Sequence, residues 1–432
     1  MFTKQTIRNV HIQGKTVLLR AELDAPLSED GKKVTSDFRL INNIPTIKAL
    51  LDANCKIVLI GKLGRPNNQF NPKMSLAPVA KRLQKLLGHE IDFVKDCIGE
   101  KVYEKTKDLK PKQILMLENI RFYPGEDSND EEFAKKLAED SNAQLFVQDC
   151  FASVHHIGAS IDAITHYLPS VAGLSLEKEV DTITNAMQSP KKPLAAIIGG
   201  AKVQDKIEIL NRFIEIADFV AIGGALANPF LVAKGISIGD SLYDKKELPI
   251  AKQVLKVAEA EAKKRPFVFA VPMDGVVSEA IDKTAETRIV DWASNSYADI
   301  VNYPKRVPVH QTEVSPKEKL LDIGPFSAAF IAGVVQLAST VVWNGTMGVT
   351  ETSSLQGPIG PTAHGTETVI EALLGKLGNK PFVVVGGGDT VGYLESRGLI
   401  GSFGHVSTGG GASLELMAGH KLPGVEALMD KK

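Results

Sequence analysis

Cysteine is scarce in this chain. Cys55, Cys97 and Cys150 are the 3 present in 432 residues, which excludes a disulfide framework and a zinc-spaced cluster. A reducing, cytoplasmic setting is the expectation. An excess of charge of one sign is missing too: 50 Lys and Arg face 51 Asp and Glu, for a net charge of −1. Nucleic-acid binders usually carry a basic excess, so no nucleic-acid partner is expected. No apolar run approaches the roughly 20 residues that span a bilayer, and the opening MFTKQTIRNVHIQGK has no apolar core of the signal-peptide kind. Low-complexity stretches and short-period repeats are also absent from the sequence. These absences leave a globular chain, 44% hydrophobic and 23% charged, without a membrane partner. At roughly 100–200 residues per domain, its length predicts two or three domains.

What is present is a strand–helix alternation. Apolar, β-branched runs recur at TVLLR (16–20), KIVLIG (56–61), QLFVQD (144–149), LAAIIGG (194–200), FVAIGG (219–224), TVVWNG (340–345) and FVVVGGG (382–388). Uninterrupted apolar runs of this length suit strands buried on both faces of a parallel sheet. Between them, LAPVAKRLQKLLG (76–88) and EFAKKLAEDSNA (132–143) have the pattern of amphipathic helices. The class is α/β, with parallel sheets flanked by helices in two blocks, roughly 1–170 and 190–410. LSLEKEVDTITNAMQSP (174–190) predicts one helix between the blocks, closed by Pro190.

The 37 glycines inform by position. Strands of the second block end at Gly199-Gly200, Gly223-Gly224, Gly345 and Gly386-Gly387-Gly388, and Gly409-Gly410-Gly411 precedes the helical pattern ASLELMAG (412–419). Beyond the carboxyl ends of parallel strands, glycine lets backbone N–H groups approach a ligand, and the next helix N-terminus favours phosphate. Each glycine alone could simply make a tight turn; the repetition points to a polyphosphate site. Neither GxxxxGK[ST] nor the GxGxxG dinucleotide spacing is present. GGAKVQDK instead sets Lys202 and Lys206 four residues apart, on one face if a helix starts there. Asp389, after three glycines, has the chemistry of a Mg²⁺ ligand or of a helix N-cap. Glu351 could accept from a ribose.

The first block carries cations after its strands: Arg20, Arg39, Lys62, Arg65 and Arg121. An unpaired Arg is costly to bury, and its fork suits phosphate or carboxylate, so these predict a small-anion site. His155 and His156 follow a strand closely and could join it. A nucleotide lobe and a small-anion lobe joined by a helix imply phosphoryl transfer, with water excluded by hinge closure.

The motifs LENIRFYPGE (117–126), GGAKVQDKI (199–207), LDIGP (321–325), WNGTMGV (343–349), GGGDT (386–390) and HVSTGGGASLE (405–415) resemble those of the phosphoglycerate kinase family, in order and over nearly the whole chain. The resemblance implies two Rossmann-like lobes joined by an interdomain helix and hinge. Residues 1–173 would form the acceptor domain, 174–190 the interdomain helix and 191–410 the nucleotide-binding domain. Residues 411–432, which include LPGVEAL (422–428), would return to the first domain. It also implies a monomer with Mg²⁺ and ATP or ADP as co-substrate, and reversible transfer between 1,3-bisphosphoglycerate and ADP·Mg. Lys202 would stabilise the transferring phosphoryl group, joined as catalytic groups by Arg39 and Gly388. Nucleotide contacts would come from Gly200, Lys202, Lys206, Gly224, Leu320, Asn344, Glu351, Gly387, Gly388, Asp389 and Thr390, with Asp389 at the metal.

The acceptor would meet Glu22, Asp24, Arg39, Lys62, Arg65, Arg121, His155 and His156. Here the chain departs from the family pattern. Glu22 and Asp24 stand where the family has Asp and Asn, Lys62 where it has His, and His156 and Gly158 where it has Arg and His. Leu320 replaces a Gly, and residues 350–367 are longer than the family's stretch. A free carboxylate at Asp24 would repel an acceptor carboxylate by about 1 kcal/mol at 4 Å in water and several times that in a closed, dry cleft, so Asp24→Asn is expected to lower KM. Two readings follow: a phosphoglycerate kinase with altered acceptor contacts, or a paralogue acting on another carboxylate or regulating without turnover.

Overall fold

The computed structural model describes residues 2–284, 286–292, 312–352 and 359–431. The first block holds β1 (Thr16–Arg20), β2 (Lys56–Ile60), β3 (Asp92–Phe93), β4 (Ile114–Met116), β5 (Leu145–Gln148) and β6 (Ser170–Ala172). The apolar runs are β1, β2 and β5; the shorter β3, β4 and β6 were not anticipated from the sequence pattern. All six form one parallel sheet in the order β3-β4-β2-β1-β5-β6. Side chains alternate across a strand, and the two faces bury separate cores. Val17, Leu19, Ile57 and Leu59 pack with Leu40, Ile47 and Leu50 of the helix Phe38–Asp52 and with Val79 and Leu83 of the helix Ala77–Leu87. Leu18, Val58, Ile60 and Phe146 pack with Val102, Phe133 and Leu137 on the opposite face. Two covered faces leave no exposed position in β1, which is why its centre, Val17-Leu18-Leu19, is apolar throughout.

Local signals set the helix ends. Gly88, at φ 64°, closes Ala77–Leu87 in the left-handed region. Asp130 caps Glu131–Asp140, its carboxylate accepting from Phe133 N at 2.7 Å.

The second block opens with β7 (Leu194–Ile198), β8 (Phe219–Ile222) and β9 (Val268–Ala270). Next come β10 (Asp274–Ser278), β11 (Arg288–Asp291) and β12 (Lys319–Ile323), followed by β13 (Thr340–Asn344), β14 (Phe382–Gly386) and β15 (His405–Val406). A parallel sheet runs β15-β14-β13-β7-β8-β9. Its core joins Ile197, Ala221, Trp343 and Val385 to Ile331 and Val335 of the helix Pro325–Val335 and to Val369 and Leu373 of the helix His364–Leu373. The strands β10 to β12 make a separate antiparallel sheet, ordered β11-β10-β12. That sheet was not anticipated from the sequence pattern.

The chain divides into two units: residues 1–182 with 411–416 and 420–432, and residues 183–410 with 417–419. The division falls within the helix Leu174–Gln188. Asp149 holds that helix's start, its Oδ1 accepting from Ser175 N at 2.9 Å and Leu176 N at 3.1 Å. Within the first unit, the C-terminal segment bonds back through Gly424 N to Val154 O (2.9 Å) and Met429 N to Ser170 O (3.0 Å). Among the described residues, no helix is long and apolar enough to cross a membrane.

Candidate active site

In the first unit the loops after β1, β2, β4 and β5 emerge at the carboxyl end of the sheet. There they gather most of the expected acceptor residues. Asp24 follows β1 and meets three groups from elsewhere in the unit. Lys62 Nζ pairs with its Oδ2, Arg39 Nη1 lies 3.3 Å from the same oxygen, and Gly64 N donates to Oδ1 at 2.9 Å. Arg39, at the start of Phe38–Asp52, also donates to the Asp24 carbonyl at 2.8 Å. Burial would raise the Asp24 carboxyl; the Lys62 charge, the Gly64 N–H and Arg39 outweigh it and hold it below its ordinary value. The carboxylate is thus committed to cations of the protein itself rather than free to repel an acceptor, so the fall in KM expected of Asp24→Asn on that ground does not follow.

Beside this group, Arg65, Arg121 and His156 line one cavity of about 460 Å³, together with Asn67, Asn68 and Asp127. Arg121 is fixed by Gly64 O at 3.1 Å and Asp127 at 3.4 Å. The rings of His155 and His156 lie 3.8 Å apart between centroids. Burial, with His156 and Lys62 nearby, lowers the His155 imidazole to about 4, so it is neutral at pH 7. His156 is lowered for the same first cause, reinforced by Arg121. Asn67 and Asn68 were not singled out in the sequence. Both take the left-handed conformation, at φ 55° and 59°, which Asn tolerates better than most residues, and consecutive Asn after Arg-Pro was the available signal.

Two expectations need correction. Arg20 does not face the cavity: it is 1% exposed, with Nε donating to Ser160 Oγ at 2.9 Å and Glu126 Oε1 at 4.0 Å from Nη2. The buried carboxylate supplies the counter-charge that made burial look too costly. Glu22 is also buried, at 2% exposure, rather than presented to an acceptor. Its backbone exchanges two 2.8 Å hydrogen bonds with the Asn43 side chain, and its Oε2 accepts the Cys150 thiol at 3.1 Å.

In the second unit the glycine turns sit at the ends of four adjacent strands, β14, β13, β7 and β8. Their roles differ. A Cβ at Gly199 would lie 1.9 Å from Thr346 O, and one at Gly345 would lie 2.3 Å from Gly199 O. At Gly224, φ is 62° and a Cβ would lie 2.9 Å from Gly200 O. These glycines let the turns pack on one another. Gly388 has no atom within 4 Å of its Cβ position and opens the helix Gly388–Ser396. Lys206 reaches into the turns, donating to Gly199 O and Asn344 Oδ1, each at 2.6 Å. Burial lowers its ammonium to about 8, although Asp389 and Asp205 pull it upward. Thr390 Oγ1 accepts from Gly345 N at 2.8 Å, linking the turns after β13 and β14. Asn344 Nδ2 is buried and unpartnered among the described residues, a donor suited to an anion.

The helix expected to begin near Lys202 starts at Ile207 instead, after a short turn at Gln204–Lys206. Lys202 is exposed and Lys206 is partly buried, so the two are not equivalent lysines on one helix face. Asp389 is exposed in the first turn of Gly388–Ser396, whose N-cap is Gly387 at φ 95°. The capping alternative for Asp389 is therefore excluded. Glu351 is exposed. Leu320 lies in the antiparallel sheet, where a Cβ at Gly275 would come within 2.2 Å of its Cδ1; the same strand ends at Ile323 beside Gly223.

Residues 7–420 match the family model described as phosphoglycerate kinase. The chain belongs to the phosphoglycerate kinase family. Phosphoglycerate kinases of Moorella thermoacetica and Koribacter versatilis are 39% and 40% identical to it, each aligned over 99% of this chain and 100% of the relative. The solved phosphoglycerate kinase of Coxiella burnetii superposes with a TM-score of 0.79 at 31% identity, covering 98% of each chain. That of Pyrococcus horikoshii OT3 gives 0.78 at 28% identity, covering 99% of this chain and 98% of the other. Membership makes the chain an ATP-dependent phosphotransferase with a carboxyl acceptor, acting on small molecules with a nucleotide co-substrate. Relatives matched along their full length favour the kinase reading over the paralogue. Of the longer 350–367 stretch, residues 353–358 lie outside the described residues.

Proposed function

We propose that the chain moves a phosphoryl group reversibly between 1,3-bisphosphoglycerate and ADP·Mg, giving 3-phosphoglycerate and ATP, by hinge closure of two lobes. The observation that carries the acceptor assignment is the cavity lined by Arg65, Arg121 and His156. Two guanidinium forks and an imidazole suit a phosphorylated carboxylic acid. Lys62 lies on the same loop after β2 as Arg65, and the His155 ring packs on that of His156 at 3.8 Å between centroids. In the nucleotide unit, Gly200, Gly224, Gly387, Gly388, Asn344 and Thr390 would line the phosphates with Lys206, while Glu351 would take the ribose and Leu320 would flank the nucleoside. Lys202, exposed beside these turns, would stabilise the transferring phosphoryl group, with Arg39 and the Gly388 N–H completing the charge complement.

Among the described residues there is no group of three or more His, Cys, Asp or Glu able to hold a metal. Mg²⁺ would be brought in on the nucleotide phosphates, with Asp389 as the carboxylate that meets it. Bound so, Mg²⁺ would neutralise charge on the phosphate oxygens. We place the enzyme in the cytoplasm as a monomer without nucleic-acid partners, consistent with its near-neutral charge. The test is a coupled assay of ATP consumption with 3-phosphoglycerate against a panel of other small carboxylates. Turnover with 3-phosphoglycerate is expected. Its absence alongside normal MgADP binding would refute the acceptor assignment.

A further inference from the structure

Asp24 is the point at which three separate pieces of the acceptor unit meet. Its Oδ2 takes both Lys62 Nζ and, at 3.3 Å, Arg39 Nη1, while Oδ1 takes Gly64 N at 2.9 Å. Lys62 belongs to the loop after β2, Arg39 to the start of a helix, and Asp24 to the loop after β1. The side chains of Lys62, Asp24 and Arg39 are 12%, 21% and 32% exposed, so all three border solvent only partly. Two cations share one carboxylate, which leaves one positive charge in excess and both carboxylate oxygens engaged. An oxygen already taken by two cations is poorly placed to contact an anionic acceptor. It is well placed to fix where those cations point.

We propose that Asp24 is a positioning residue: its carboxylate holds Lys62 and Arg39 in a fixed relation so that they meet the acceptor's anionic groups together. The inference rests on the acceptor reading above and deepens it. Without the carboxylate, the two cations would repel and separate, and an acceptor would still be attracted but poorly aligned. Misalignment of reacting groups lowers the rate of the chemical step more than the affinity. An amide at this position could not substitute, because its single acceptor oxygen cannot serve both the Gly64 N–H and two cations.

The test is a cycle of Asp24→Asn, Lys62→Met and the double variant, with Lys62→Arg as the conservative control. Each is assayed as the full chain with ATP and 3-phosphoglycerate, and a crystal structure of Asp24→Asn is determined. Asp24→Asn is expected to lower kcat about tenfold with KM for 3-phosphoglycerate unchanged within about twofold. Against Lys62→Met the same substitution should cost less than about threefold, because much of the effect runs through Lys62. Lys62→Arg should lose less kcat than Lys62→Met, since it keeps a cation for the carboxylate. A large rise in KM with kcat unchanged would make Asp24 an acceptor contact and overturn the proposal. So would a fall in KM with kcat unchanged, which is the signature of simple repulsion, or full additivity in the cycle. If the parent does not turn over 3-phosphoglycerate, the acceptor reading fails separately, and the crystal structure decides this proposal. Displacement of the Lys62 ammonium by about 2 Å or more supports it; an unmoved Lys62 sinks it.

Discussion

Between pH 7 and pH 9, the affinity of the second unit for MgADP is expected to fall about tenfold, through Lys206. Its ammonium is enclosed by the turns after β7 and β13, bonded to Gly199 O and Asn344 Oδ1 at 2.6 Å. Burial brings it down from the ordinary 10.5 to about 8, against the pull of Asp389 and Asp205. With a midpoint near 8, about nine tenths of the molecules carry the charge at pH 7 and about one tenth at pH 9. If the phosphates require the charged form, apparent affinity falls in that proportion, and binding at pH 9 takes up close to one proton. Calorimetric titration with MgADP at both pH values, in buffers of different ionisation enthalpy, reads both quantities. Lys206→Arg, which stays charged, should flatten the profile even if its affinity is lower overall. Affinity constant within twofold from pH 7 to 9, or no proton uptake at pH 9, would refute the argument. The same shift affects folding with a defined sign. The folded pKa lies below the unfolded one, so this group's contribution to stability is lowest below pH 8 and rises toward pH 10.5. The full range is worth about 3 kcal/mol.

Three further outcomes follow from the same geometry. Lys202→Ala should lower kcat by about 100-fold or more while the dissociation constant for MgADP changes little, because Lys202 is exposed outside the packed turns and is assigned to the transferring group; a variant at full rate would remove it from that role. Gly199→Ala should cost about 3 kcal/mol, a fall of about 10 °C in melting temperature, since its Cβ would meet a backbone oxygen at 1.9 Å. Gly388→Ala, with open space at its Cβ, should melt within about 1 °C of the parent yet bind MgADP more weakly, and equal behaviour of the two variants would contradict the division of roles. Arg20→Met should lose about 3 kcal/mol by removing the counter-charge of buried Glu126, which keeps its hydrogen bonds from Ser160, with KM for the acceptor unchanged in the folded protein; a KM effect without loss of stability would return Arg20 to the acceptor site.

The strands were legible because their signal is local. TVLLR at 16–20 is β1 residue for residue, since a strand covered on both faces is apolar through its centre. The antiparallel sheet β10 to β12 was not legible. Its buried core is only a small cluster around Val277, Val290 and Val314, so DGVVS and RIVD carry no continuous apolar run. Arg20 and Arg65 look alike in sequence, each basic and near the end of an apolar strand. Arg20 is buried because Ser160 and Glu126 provide its partners, and their arrival depends on 140 residues of intervening fold in the case of Ser160. The glycine turns show the same split. Their clustering was visible, but Gly199 and Gly388 differ only in what lies opposite, and Thr346, opposite Gly199, belongs to another strand's turn.

The sequence by itself determined the α/β class, the positions of the parallel strands of four or more residues, the glycine-marked turns and the family. Each depends on residue type at short spacing, where backbone sterics and hydrophobic periodicity act directly. The tertiary structure alone decided the state of the charged groups. It buried Arg20 and Glu22, exposed Lys202, pushed Lys206 toward neutrality and closed Asp24 onto Lys62 and Arg39. The energy of a charge is set by its surroundings rather than by its neighbours in the chain, and those surroundings exist only once distant loops have come together.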